Sequence, residues 1–241
     1  ADGTVQVGDA VIALARLGAG GLAECTVAAA SDVFARPATM PPAVAAAMPV
    51  TYQTAWIGLL HRARLAAGDT VLVHAGAGGA GSAAIQVARA AGATVLATAG
   101  GADKVARCRD LGAHVAIDYR SDDFVQVVRE HTEGAGVDVV YDGVGGDTFD
   151  ASTKAIAFEG RIVVVGFSAG RAAEARTNHA MVKNYSVIGV NWGAYRALRP
   201  ELLQQAHREI IEWWSAGAVA PFVSEVVPME AMPDALDRLR A

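Results

Sequence analysis

Cysteine is nearly absent from this sequence. The two that occur in 241 residues, Cys25 and Cys108, cannot build a disulfide framework or a cysteine-rich metal centre. Charge is also sparse: 19% of residues are charged, and 25 acids against 20 bases leave a net charge of −5. The Lys and Arg are scattered, which argues against nucleic acid and against an anionic membrane as partners. No apolar run approaches the ~20 residues a membrane-spanning helix needs, and no basic-then-apolar leader opens the chain. A reduced, cytoplasmic setting is therefore the expectation. What is abundant is apolar: 53% of residues are hydrophobic, enough for a sizeable core and against global disorder. The length suits one large domain, or one domain with part of another.

The rhythm of the chain changes along its length. Val5 to Phe34 reads as short strands broken by glycine, in "DAVIAL" and "LGAGGLAECTVAAA". A Pro-punctuated connector follows, with a helix expected from Pro42. A second helix, in "TYQTAWIGLLHRARLAAG", stops at Gly68. Six apolar runs then alternate with helical segments, starting near Thr70, Thr94, His114, Val137, Arg161 and Tyr185. Unbroken apolar strands imply burial on both faces, hence a parallel sheet covered by helices on each side. Six of them in βα alternation predict a doubly wound α/β dinucleotide fold. The tail reads as a helix on which one of Trp213 and Trp214 is buried and the other partly exposed, a strand "FVSEVV", and a last helix.

The stretch "VLVHAGAGGAGSAAIQVARAAGA", Val71 to Ala93, carries the chemistry. Gly76, Gly78 and Gly81 satisfy G-x-G-x-x-G between a strand and a helix. The first glycine allows a tight turn, the second a close approach of pyrophosphate, and the third close helix–strand packing. Free N–H groups at the helix start favour phosphate charge. The pattern alone is weak in a chain with 26 glycines, but strand, turn and helix are all in place around it. After the second strand an NAD site usually carries an acid for the ribose hydroxyls. Here Ala99, Gly100 and Gly101 occupy that position, and Asp103 stands where the next helix would be N-capped. A 2′-phosphate near Lys104, Tyr119 and Arg120 makes NADPH the expected cofactor. The plainer reading leaves Lys104 and Arg120 as solvated surface charges.

Taken together, "AAAMPVTYQTAW", the glycine-rich stretch, "LGAHVAIDYRSDDF", "VDVVYDGVGGDTFDAS", "GRIVVVGFSAG" and "NYSVIGVNWGAY" resemble the NADPH:quinone oxidoreductases. These are zeta-crystallin relatives in the zinc-free branch of the medium-chain dehydrogenase/reductases. The resemblance implies a Rossmann domain at 53–193, flanked by pieces of a GroES-like catalytic domain at 1–52 and 194–241. It implies that most of that catalytic domain precedes Ala1. By motif, Thr54 lies by the nicotinamide, and Gly78, Gly79, Ala80 and Gly81 hold the pyrophosphate. Lys104 and Tyr119 meet the 2′-phosphate, Gly143 and Val144 border the adenosine, and Phe167 and Ser168 border the nicotinamide. Hydride transfer to a quinone or activated enone, and a homodimer paired through residues 185–190, are implied as well. The alternatives are an enone or enoyl-thioester reductase and a non-catalytic NADPH-binding module.

Two other chemistries compete. "GFSAG", Gly166 to Gly170, matches the G-x-S-x-G nucleophile elbow of hydrolases. Its triad needs an acid and then a His after Ser168, which only Glu174 with His179 or His207, or Glu201 with His207, can offer. Zinc needs three protein ligands, and dispersed histidines with two remote cysteines do not assemble them by spacing. His74 reads as a packed strand-end residue. Asp142 ends the fourth strand and reads either as ligand-facing or as a turn acid. No general acid or base stands out, and hydride transfer needs mainly a positioned cofactor and acceptor.

Overall fold

A computed structural model describes residues 5–16, 18 and 20–240, with the side chain of Arg240 excepted. Ala1–Thr4, Ala241 and two positions of the glycine-broken run, Leu17 and Ala19, lie outside the described residues. The chain divides into two compact units, one of residues 1–49 with 221–241 and one of residues 50–220.

In the first unit, β1 (Val11–Ala13) pairs antiparallel with β2 (Val33–Ala35), setting Ile12 opposite Phe34. Both side chains are buried, as are Met40 and Met48. Helix α1 (Pro42–Ala47) starts with Pro at its first position, where the missing N–H costs nothing. Residues 21–25 of the glycine-broken run after β1 form bends rather than a strand.

The second unit begins with α2 (Pro49–Trp56), which continues into a π-helical stretch at Ile57–Arg62. The helical run therefore stops before Gly68, which instead supplies the positive φ of the next turn. The βα series follows: β3 (Thr70–Val73), α3 (Gly79–Ala90), β4 (Thr94–Ala99), α4 (Ala102–Asp110), β5 (Val115–Asp118) and α5 (Phe124–His131). It continues with β6 (Val137–Asp142), α6 (Gly146–Ala155), β7 (Ile156–Val164), α7 (Thr177–Lys183) and β8 (Ser186–Gly189). Two helices close the unit, α8 (Trp192–Leu198) and α9 (Pro200–Ser215), and α10 (Met232–Arg240) belongs to the first unit.

The six strands form one wholly parallel sheet in the order β5-β4-β3-β6-β7-β8. Counted within the sheet this is the 3-2-1-4-5-6 order of a doubly wound fold, as the strand pattern predicts. Register explains the unbroken apolar runs. Leu72 pairs with Leu96 on one side and Val140 on the other, and Val140 pairs with Ile162. This row joins Val128 of α5 and Phe149 of α6 in one buried cluster. The opposite face meets the helical wall opened by α2, where a Cβ on Gly58 would touch Val163, Tyr141 and Val190. Each large aliphatic side chain buried this way stabilises the fold by roughly 1.5–3 kcal/mol.

Several expectations change. β7 starts at Ile156, earlier than expected, because a register irregularity opposite Val137–Val139 absorbs the extra length. "FVSEVV" forms no strand: Phe222 and Val226 are exposed, and no neighbouring strand pairs with that run among the described residues. Trp213 and Trp214 are both half-buried. Residues 194–220 group with the sheet rather than with the outer segments. There Glu209 of α9 accepts a bond from the Trp56 indole at 2.7 Å, and Gln86 accepts one from the Ala220 N–H at 2.6 Å. Among the described residues no helix is long and apolar enough to cross a membrane.

The β3–α3 crossover is the tightest joint. A Cβ on Gly81 would lie 2.2 Å from the Ala75 carbonyl oxygen and 2.8 Å from Gly76 Cα. Those atoms are backbone and cannot step aside. A Cβ on Gly78 would meet only the Ala75 oxygen, at 3.3 Å. Gly81→Ala should therefore destabilise the protein by about 2 kcal/mol or more, since overpacking outweighs the ~1 kcal/mol helix-propensity gain. Gly78→Ala should cost under about 1 kcal/mol. Urea unfolding of the two variants checks this, and equal losses would refute the packing role of Gly81.

Candidate functional site

The clefts of the second unit open at the C-terminal ends of its strands, where doubly wound sheets bind ligands. The chain leaves β3 through His74 and Ala75, and Ala75 takes the positive φ of 51° that the turn requires. Gly76 has another reason to be glycine. A Cβ there would meet Cys108 Sγ at 2.9 Å and Ala97 Cβ and Ile85 Cδ1 at 3.0 Å each. The first glycine of the motif is thus a packing requirement against β4 and α4, while the left-handed residue is Ala75. Gly78 is the N-cap of α3, and no side chain caps that helix start. Outside Gly79 the nearest atom to a built Cβ is Thr51 Cγ2 at 3.6 Å, so the outer face of the turn is open. Uncapped N–H groups of a full-length helix facing open space suit a phosphate. The residues fit a dinucleotide.

One cleft, of about 590 Å³, runs over the ends of β3, β4, β5 and β6. Its lining includes His74, Thr98, Tyr119, Phe124, Val144 and Ser168. At its floor lies a buried polar chain. The Ser152 hydroxyl donates to the Thr148 carbonyl at 2.7 Å, so it accepts from His74 Nε2, 2.8 Å away. That leaves His74 Nδ1 to accept from the Thr98 hydroxyl at 3.0 Å. His74 is a packed strand-end residue, as the sequence suggests. Burial holds its pKa well below the ordinary 6.5, at about 4, although nearby Asp142 pulls the other way. Asp142 is fully buried. Its Oδ1 accepts from the N–H groups of Val144 at 2.8 Å and Gly145 at 3.0 Å, which makes it the turn acid of the β6–α6 loop. Its Oδ2 has no hydrogen-bond partner among the described residues.

The end of β4 explains the missing acid. A Cβ on Gly100 would lie 2.6 Å from the Tyr119 hydroxyl and 3.0 Å from Arg120 Nε. Tyr119 and Arg120 thus crowd the position where an NAD-type carboxylate would begin. Asp118, which sequence reasoning missed, ties this corner together. Its Oδ1 accepts from the N–H groups of Gly101 at 3.0 Å and Arg120 at 3.1 Å, and those bonds lower its pKa. An Asp at a strand's end, next to a residue pair already singled out, was the available signal. The N-cap of α4 is Gly101, and Asp103 sits in the first turn, where its charge complements the helix dipole. Lys104 is exposed on α4.

A second cleft, of about 680 Å³, lies at the ends of β7 and β8. Thr54, Arg62, Phe167, Trp192 and Tyr195 line it. Phe167 and Ser168, expected on one side, are divided between the two clefts. Their loop is pinned to the β6–α6 loop by the Ser168 N–H on the Gly143 carbonyl and the Ala169 N–H on the Val144 carbonyl, each 3.1 Å. Arg62, Asn191, Trp192 and Tyr195 were not foreseen, because they come from segments far apart in the chain.

The rival chemistries find little here. Ser168 leads into a loop rather than a helix. Glu174 and His179 line a separate cavity that excludes Ser168, and His207 is buried in α9. No elbow triad forms. Among the described residues no three His, Cys, Asp or Glu side chains group to hold a metal.

This sheet order, with a glycine crossover and clefts at the strand ends, defines a nicotinamide-dinucleotide type of α/β protein. The model of the zinc-binding dehydrogenases matches residues 79–210, and the chain belongs to that family, within the medium-chain dehydrogenase/reductases. It is 36% identical over 233 residues to the bovine (Bos taurus) quinone oxidoreductase-like protein 2, covering 96% of this chain and 66% of that protein. The chain therefore spans just under two-thirds of that relative's length. An alcohol dehydrogenase superfamily protein from Novosphingobium aromaticivorans superposes with a TM-score of 0.88 at 31% identity, over 98% of this chain and 72% of that one. A mycobacterial protein solved in complex with NADPH superposes with a TM-score of 0.80 at 31% identity, over 88% and 64%.

The buried imidazole yields a pH dependence. Because His74 is neutral when folded and titrates near 6.5 when unfolded, the unfolded chain binds more protons between those two pKa values. Stability is full above pH 6.5 and is lost as pH falls toward about 4, by on the order of 1–3 kcal/mol. Chemical unfolding at pH 7 and pH 5 should show this fall, and His74→Gln should flatten it. An equal slope in the variant would dissociate the acid sensitivity from His74.

Proposed function

We propose that this chain carries the cofactor-binding part of an NADPH-dependent oxidoreductase that reduces a quinone or a related activated carbonyl compound. The observation that carries this reading is the β3–α3 turn, an uncapped helix start over open space with Gly81 locked against the Ala75 carbonyl. Gly76 shapes that turn, and Gly78, Gly79, Ala80 and Gly81 hold the pyrophosphate. Lys104, Tyr119 and Arg120 take the 2′-phosphate, and Gly143 and Val144 border the adenosine. Thr54, Phe167 and Ser168 approach the nicotinamide. NADPH, when bound, supplies the hydride; the chain's own residues orient it and shape the cavity in which an acceptor sits. The NADPH-bound relative and the quinone oxidoreductase-like relative support the cofactor and the acceptor class respectively.

The partner of the chain is a second copy. β8 is a sheet edge whose outer side pairs with no strand among the described residues, and Val187 on it is 39% exposed. Such an edge needs covering or pairing, and antiparallel pairing through residues 185–190 would satisfy two-fold symmetry.

Two measurements test these readings. A charge-assisted bond to the 2′-phosphate is worth roughly 1.5–3 kcal/mol, so Lys104→Ala should weaken NADPH by about tenfold or more and leave NADH nearly unchanged. Gly78→Val should weaken both. Titration by cofactor fluorescence reads the affinities, and NADPH oxidation with a quinone, an enone or neither reads the reaction. Equal losses for the two cofactors in Lys104→Ala would refute the phosphate assignment. No NADPH oxidation with either the quinone or the enone would leave a binding module. For the dimer, Val187→Lys should shift sedimentation toward monomer, since the symmetric pair would oppose like charges. A parent chain that sediments as a monomer would overturn the interface.

A further inference from the structure

The 680 Å³ cleft has an electrostatic character that the hydride reaction alone does not require. Its lining contains no carboxylate, yet it contains the guanidinium of Arg62. Two other arginines of the second unit are held by acids, Arg161 by Asp69 at 2.6 Å and Arg171 by Asp147 at 2.7 Å. Arg62 has instead one neutral partner among the described residues, the Tyr195 hydroxyl, which accepts from Nη1 at 3.2 Å. In a chain with 25 acids and 20 Lys and Arg, a cation left in an acid-free cleft stands out.

Local backbone puts Arg62 there. It ends the π-helical stretch, and the next N–H, of Ala63, bonds the Gly58 carbonyl five residues back. π-turns of this kind recur at functional sites. Arg62 and Thr54, both on this helical run, line the same cleft. Because the Tyr195 oxygen accepts from Arg62, its own proton is free to be donated into the cleft. The His61 ring packs edge-on against the Tyr195 ring at 5.9 Å and helps hold it in place. Asn191 uses its Oδ1 to cap α8 at Ala194 N, 3.2 Å, which leaves its NH₂ group as a further donor. Phe167, Val190 and Trp192 line the same cleft.

We propose that this cleft is the acceptor site and that Arg62, with Tyr195, selects acceptors bearing a carboxylate or phosphate beside a flat apolar body. The planar guanidinium fork matches either anion with paired bonds, and the rings accept the flat part by stacking. The assignment rests on the oxidoreductase reading for the word acceptor, but the recognition itself is a property of this chain's own residues.

The test uses the whole chain and three non-reducible probes in isothermal titration: 2-naphthoate, 2-naphthyl phosphate and neutral 2-naphthol. Both anions should bind about tenfold or more tightly than the alcohol, and the tighter of the two names the anionic group. Arg62→Met should abolish that preference while leaving NADPH affinity unchanged, and Arg62→Lys should restore part of it. Equal binding of all three probes by the parent chain would overturn the proposal. So would a loss of NADPH affinity in Arg62→Met, which would assign the guanidinium to the cofactor. If the anion preference holds but no quinone or enone oxidises NADPH, the recognition stands and the oxidoreductase reading fails.

Discussion

Everything in the second unit is arranged around one steric fact: there is no room for a Cβ where α3 crosses the end of β3. At Gly81 the obstacle is the Ala75 carbonyl, 2.2 Å away, and at Gly76 it is the Cys108 sulfur, 2.9 Å away. Close contact at these two points lets the helix start directly above the strand end and turn its unpaired N–H groups outward. The positive φ that the crossover needs falls on Ala75, so a modest backbone strain is held by the surrounding packing. The parallel strands on either side of β3 supply that packing, with Val71, Leu72 and Val73 all fully buried.

From that joint the two clefts follow. The first sits over strands β3 to β6, where the His74, Thr98 and Ser152 side chains satisfy one another out of water and keep the imidazole neutral. This hydrogen-bonded floor lies in a cleft whose lining also carries Asp122, Asp123 and Asp147, and Asp142 spends one of its oxygens on the loop N–H groups. The second cleft is built from the helical run ending at Arg62, the loop after β7 and the start of α8. The loop carrying Phe167 and Ser168 serves both clefts, and its backbone bonds to Gly143 and Val144 couple their walls.

The family to which the chain belongs is named for zinc, yet the described residues offer no cluster of ligands for one. The chemistry they do offer is positional. Glycines leave an exposed helix start at the end of β3, and aromatic rings and an arginine line a second chamber.

Sequence by itself determined the strand succession, the glycine crossover and the absence of an acid after β4, because these depend on local backbone chemistry and on burial on both faces of a sheet. A run such as Val71–Val73 has few other ways to hide its side chains, and G-x-G-x-x-G between strand and helix has few other geometries. The weaker local signals misled: "FVSEVV" has strand composition but no strand partner among the described residues, and Asp103 has cap chemistry but lies two residues past the Gly101 N-cap. Only the tertiary structure decided which distant side chains meet. Tyr119 and Arg120 over Gly100, Ser152 under His74 from 78 residues away, and Tyr195 on Arg62 from 133 residues away are contacts across the sheet's C-terminal edge. No spacing along the chain encodes them, because their distances are set by strand order and helix packing rather than by backbone periodicity.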